Sequence, residues 1–295
     1  MSTADPTVAA PATRANAPAL PWRLADIDFS RLQPEKVRDD ETLFFTLATS
    51  ALVEAATTHY ASNLIEYYAG DVKLATWLRA QWQPEELQHG AALRAYVETV
   101  WPEFSWERAF GGFYPEYAAA CTQEELEPSR ALEMAARCVV ETGTSTLYQT
   151  IHDYADEPVL REITARLKSD EVRHFSYFYE AYRHYCAENG RPPRWQVARA
   201  ILRRVLEAFD DDGDIAFRHA WNGRYPQRAS TAVEYTKFQR AMRKRITPCM
   251  PVTMSTKMLL KPLALPPKLN EWAVALVGAV VRFAAGRPPE RPASA

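Results

Sequence analysis

At 295 residues, with 47% hydrophobic and 24% charged content, the chain can bury a sizeable core, which excludes wholesale disorder and a collagen-like repeat. Four cysteines without CxxC spacing exclude a disulfide framework and a paired-thiolate zinc site, and predict a reducing, cytoplasmic setting. The net charge of −2 hides an asymmetry, because from Arg194 onward 18 Lys/Arg stand against 8 Asp/Glu. That balance suits an acidic protein partner or an anionic membrane surface, and nucleic acid is not expected as a partner.

Taken in chain order, residues 1–22 are rich in Ala, Pro and Thr and carry no charged segment ahead of an unbroken apolar run. They predict a disordered tail rather than a secretion signal. Apolar residues at three- and four-residue spacing predict a first long helix over 40–69, ended by Gly70 and followed by Asp71 as the next cap. The second helix runs to about residue 100, and Pro84 inside it predicts a kink or local irregularity. Residues 101–127 hold two prolines and Gly111-Gly112; the stretch is too long for a hairpin loop and reads as a crossover connection.

A third helix is expected over 128–154, and a fourth from residue 158 to about Asn189-Gly190. Two helical hairpins joined by one long crossover describe an all-α, ferritin-like four-helix bundle over residues 23–190. An extension at 191–286 should add helices near 195–210, 231–246 and 269–285, with an irregular Pro- and Met-rich segment at 246–268. Residues 287–295 are expected to form a disordered tail. The apolar run at 272–285 is too short to cross a bilayer, which takes ~20 residues, but long enough for peripheral membrane contact.

Two histidines have Glu three residues earlier: Glu86-Leu87-Gln88-His89 and Glu171-Val172-Arg173-His174. On a helix such pairs share a face and aim at one point. Glu54 lies 16 residues before Gly70 and Glu86 lies 16 after it, so antiparallel helices bring them level. Glu141 and Glu171 stand 16 before and 14 after Glu157 in the same way. Four carboxylates and two imidazoles would converge in an apolar interior, where isolated charge is prohibitively costly. A pair of metal ions resolves the cost, and mixed carboxylate and imidazole ligation suits iron, with manganese or a mixed pair as the other choices. Glu66 rivals Glu54 but sits only four residues from the turn, and His59, His152, His184 and His219 lack the spacing.

Glu54, Glu86-x-x-His89, Glu141 and Glu171-x-x-His174 resemble the ferritin-like di-iron carboxylate pattern. Within it, PEELQHG and SDEVRHF are similar to the twin D-E-x-R-H motifs of the soluble acyl-carrier-protein desaturases. The resemblance covers about residues 41–188. It implies that Glu85 and Asp170 hydrogen-bond the metal-binding histidines across the bundle, and that Thr144 stands beside an oxygen pocket. It further implies a dioxygen-dependent di-iron oxidase that desaturates or hydroxylates an acyl chain on a carrier protein. Electrons would come from an external, ferredoxin-like donor, and the chain would form a homodimer. Arg240, Arg243, Lys244 and Arg245 are the candidate residues for docking the carrier. The sequence departs from the pattern at Glu85, Gln88 and the C-terminal third, which leaves the substrate open. A di-iron oxygenase or N-oxygenase of a small metabolite, or a ferroxidase and iron-storage protein, are the alternatives.

Overall fold

A computed structural model describes residues 20–284, the side chains of 208–212 and 284 excepted. The described residues form α-helices and short 3-10 turns, with no strand among them. Helix α1 (Glu41–Ala55) starts on Asp40, whose carboxylate accepts from Leu43 N at 3.0 Å. Its line continues into α2 (Thr57–Tyr67) after a break at Ala56. Asp71 then caps α3 (Val72–Trp77), accepting from Leu74 N. A five-residue π-helical segment, Leu78–Trp82, links α3 to α4 (Gln83–Val100), and Pro84 sits in the first turn of α4. The irregularity expected at Pro84 therefore lies just before it, in the wider π turn.

The second hairpin pairs α6 (Arg130–Tyr154) with α7 (Pro158–Asn189). Ser129 caps α6, and Glu157 accepts from Val159 N and Leu160 N to cap α7. Helix α6 packs along α7 and α1 along α4, while the α4–α7 contact joins the hairpins. Tyr68 donates its hydroxyl to Arg130 O at 2.8 Å, which fixes the start of α6 beside the Gly70 turn. Helices α4 and α6 thus leave the same end of the bundle.

Three expectations need correction. The crossover is not merely a connection, because it contains α5 (Trp106–Ala120) with Pro115 inside. Packing on α8 (Arg194–Arg224) outweighs that proline, and Gly112 permits it, since a Cβ there would stand 2.6 Å from the His219 ring. The segment expected to be irregular at 246–268 contains α10 (Val252–Leu260), where prolines flank the helix and Val252, Thr256 and Leu260 form one buried stripe. Trp22, placed in the disordered tail from composition, is 5% exposed and packs into the bundle. Residues 1–19 of that tail and the tail at 287–295 lie outside the described residues.

Helix α8 (Arg194–Arg224) runs well past the expected end near residue 210 and lies along α6, α5 and α1. Helix α9 (Ala232–Arg245) rests on α1, and α10 rests on α6. Helix α11 (Pro267–Ala284) packs on α10 and turns Leu269, Trp272, Leu276, Val280 and Phe283 outward, each 54–86% exposed. Among the described residues no helix is long and apolar enough to cross a membrane.

Candidate metal centre

Six side chains from four helices meet in the middle of the bundle: Glu54 from α1, Glu86 and His89 from α4, Glu141 from α6, and Glu171 and His174 from α7. Each is almost wholly buried. Their donor atoms fall into two overlapping groups, Glu54–Glu86–His89–Glu171 and Glu86–Glu141–Glu171–His174, with all atoms of a group within 4.8 Å of one another. Glu86 and Glu171 belong to both. Each group is completed by one histidine and one carboxylate of its own.

The imidazoles show what the groups are arranged for. His89 Nε2 lies 3.1 Å from Asp170 Oδ2, and His174 Nε2 lies 2.7 Å from Glu85 Oε2. With Nε2–H donated to a carboxylate, the neutral ring turns its Nδ1 lone pair inward. His89 Nδ1 then faces Glu171 Oε1 at 3.2 Å, and His174 Nδ1 faces Glu86 Oε1 at 3.0 Å. Lone pair against carboxylate oxygen is repulsive unless a cation, proton or metal, sits between. Two donors bound at about 2.1 Å and a right angle apart stand about 3 Å from each other, so the spacing suits a common ion. His89 Nδ1, His174 Nδ1, Glu141 Oε2 and Glu171 Oε1 are also buried without a hydrogen-bond partner. The residues fit a pair of metal ions.

Burial raises the carboxyls of Glu54 and Glu141 well above the ordinary range, and the charges of Glu86 and Glu171 push the same way. Burial also opposes the charge on Glu86 and Glu171, but the His174 and His89 imidazoles beside them outweigh it and hold both low. For the histidines, burial disfavours the imidazolium, yet the carboxylates facing them, Asp170 and Glu171 for His89 and Glu141 and Glu171 for His174, raise both well above 6.5. Protons and metal ions are alternative ways of holding these opposed donors together, because a bound ion displaces the protons of its ligands.

Around the six stands a supporting layer. Asp170 and Glu85, expected across the bundle from the histidines, are there. Arg173 joins them, with Nη2 at 2.5 Å from Glu85 and Nη1 at 2.9 Å from Asp170. Trp22 donates its indole N–H to Asp170 at 2.7 Å, and its carbonyl accepts from Gln88 at 2.7 Å. Tyr148 donates its hydroxyl to Glu54. Sequence reasoning assigned no part to Arg173, Trp22 or Tyr148. Tyr148 follows Glu141 by seven residues, two turns along the same face, which is the signal that points to it.

The other candidates fall elsewhere. The Thr144 hydroxyl bonds back to the Val140 and Glu141 carbonyls of its own helix, each at 3.3 Å, so its observed bonds belong to the helix. Glu66 is exposed and accepts from Gln123. His152, His184 and His219 pair with Asp153, Glu188 and Glu116, away from the cluster. On α9, Arg240, Arg243 and Lys244 are exposed, whereas Arg245 forms a two-pronged ion pair with Asp40 at 2.8–2.9 Å. No family model matches the chain, and no curated protein matches it in sequence.

Proposed function

We propose that the chain is a dioxygen-dependent di-iron oxidase on a ferritin-like bundle, of the kind that the resemblance to acyl-carrier-protein desaturases implies. The observation that carries this reading is the sharing of Glu86 and Glu171 between two donor groups, each closed by its own histidine and carboxylate. Two iron ions, when bound, supply the dioxygen activation and one-electron chemistry that no side chain offers. The protein's own part is to hold the ligands in place. Asp170 and Glu85 keep the proton on each histidine Nε2, Arg173 ties those two carboxylates together, and Tyr148 holds one oxygen of Glu54. Burial of all six donors keeps bulk water from the reacting atoms. In this reading the electrons arrive from an external ferredoxin-like donor.

The substrate has two readings. An acyl chain on an acidic carrier protein follows from the resemblance and from the exposed Arg240, Arg243 and Lys244 on α9. A small metabolite oxidised at the same centre is favoured by three unpartnered donors one turn from the ligands, considered below. Iron storage is the weaker alternative, because α8 to α10 cover the bundle surface. The test is metal analysis of purified protein, then chemical reduction and exposure to oxygen with candidate substrates. About two iron ions per chain and substrate-dependent oxygen uptake are expected. A chain that takes up no more than trace metal defeats the proposal.

A further inference from the structure

One helical turn from the ligands, toward the Gly70 end of the bundle, lies a second cluster of buried polar groups. Trp82 precedes Glu86 by four residues, Arg137 precedes Glu141 by four, and Tyr60 follows Glu54 by six. Since α4 and α6 both start at that end, these steps lead the same way. The Arg137 guanidinium stacks over the Tyr60 ring at 4.6 Å, and Tyr60 meets Trp82 edge-on at 6.2 Å. Phe178 closes on Trp82 at 5.7 Å. Trp82 and Arg137 are 3% and 1% exposed.

Tyr60 Oη, Trp82 Nε1 and Arg137 Nη2 are all buried and have no hydrogen-bond partner. Arg137 Nε lies 2.8 Å from Glu133 Oε1, so the ion pair engages that edge and leaves the terminal nitrogen over. Buried donors are almost always satisfied in folded proteins, and three in one cluster call for an acceptor. The π-helical segment ending at Trp82 adds to the signal, because such insertions persist mostly at functional sites. Trp82 Nε1 and the guanidinium can only donate, and the Tyr60 hydroxyl can donate as well, so one partner rich in lone pairs would serve all three. A carboxylate has two oxygens that take several donors at once and matches a guanidinium.

We infer that Tyr60, Trp82 and Arg137 form the anchoring subsite for a small carboxylic-acid substrate. The inference rests on the six-ligand cluster being the oxidising centre. A helical turn rises about 5.4 Å, so the atom presented to the metals lies roughly three to five bonds from the carboxyl carbon. A carrier-borne acyl group is a thioester and has no carboxylate to place here.

The test is calorimetric titration of the iron-loaded protein with straight-chain and aromatic monocarboxylates and with their primary amides. Wild type is compared with Tyr60→Phe and Trp82→Phe, which delete a donor and keep a ring. Arg137 is left intact because Glu133 is buried against it. Acids should bind roughly 10-fold tighter than amides, and each variant should lose roughly 5- to 10-fold for acids and less for amides, whose single carbonyl is the weaker acceptor. Acids that bind all three proteins equally are bound at the metals, and that result overturns the subsite. So does the failure of every acid to bind a wild type that carries two irons. Acid binding that is sensitive to both variants, in a protein that takes up no iron, supports the subsite and refutes the di-iron reading instead.

Discussion

Asp170 accepts from three directions, with His89 at 3.1 Å, Trp22 at 2.7 Å and Arg173 at 2.9 Å, and it is the residue whose loss should loosen the centre without unfolding it. Asp170→Asn keeps the shape but can turn an N–H toward His89, so metal affinity should fall about 10- to 100-fold with the helical circular dichroism unchanged. Glu141→Ala or His174→Ala should remove most of the metal, and wild-type iron content in both would refute the ligand assignment. The raised groups also set a pH dependence. His89 and His174 are raised above 6.5, so their protons stabilise the metal-free fold fully below that value, and this support is lost as pH climbs through the raised values. Glu54 and Glu141, raised from 4.5, act in the same direction. Chelated protein should therefore melt at a lower temperature at about pH 9 than at about pH 7, while loading divalent ions near neutral pH should release protons. Thermal melts and calorimetry in buffers of different ionisation heat measure both. A melting temperature that rises across that range would refute the stabilising role of these protons.

Helix α4 shows how an element positions chemistry. Gly90 lies directly against α1, where a Cβ would stand 2.6 Å from Ala55 N, next to the candidate ligand Glu54. Backbone cannot yield as a side-chain tip can. Gly90→Ala should cost about 1–3 kcal/mol in urea unfolding and weaken the metal group that contains Glu54. Unchanged stability would mean that α1 shifts freely at this point. The break at Ala56, between α1 and α2, adjoins this contact. Helices α5 and α10 teach the opposite lesson about local signals. Gly111-Gly112 and Pro115 in α5, and the prolines around α10, argue against helix when read alone, yet packing on α8 and α6 decides for it.

For the whole molecule, the di-iron reading makes metal and fold interdependent through the buried carboxylates. Ion bound at 100 times its dissociation constant adds about 2.7 kcal/mol, so chelation should lower the melting temperature by several degrees. A chelator that leaves the melt unchanged would argue against resident metal. The basic C-terminal third bears on the substrate. Arg243 and Lys244 point out from α9 while Arg245 is held by Asp40, so charge reversal at the first two should leave the fold and metal content intact. If an acidic carrier delivers the substrate, that double variant should raise the KM for carrier-bound acyl groups, most clearly at low salt. An unchanged KM, together with acid binding sensitive to Tyr60→Phe, would decide for the small-acid reading.

The sequence by itself determined the helical class and the register of the centre. A Glu and a Glu-x-x-His repeated about an antiparallel turn can be read from spacing, because a helix converts residue number into height and face. It determined the main turns too, since Gly70-Asp71 and Glu157-Pro158 carry their capping chemistry locally. Only the tertiary structure decided which groups support the ligands. Trp22 reaches Asp170 across 148 residues and Tyr148 reaches Glu54 across 94, separations at which no spacing rule operates. It alone decided that Tyr60, Trp82 and Arg137 lie together with donor atoms left over, because whether a buried donor is satisfied depends on every element packed around it.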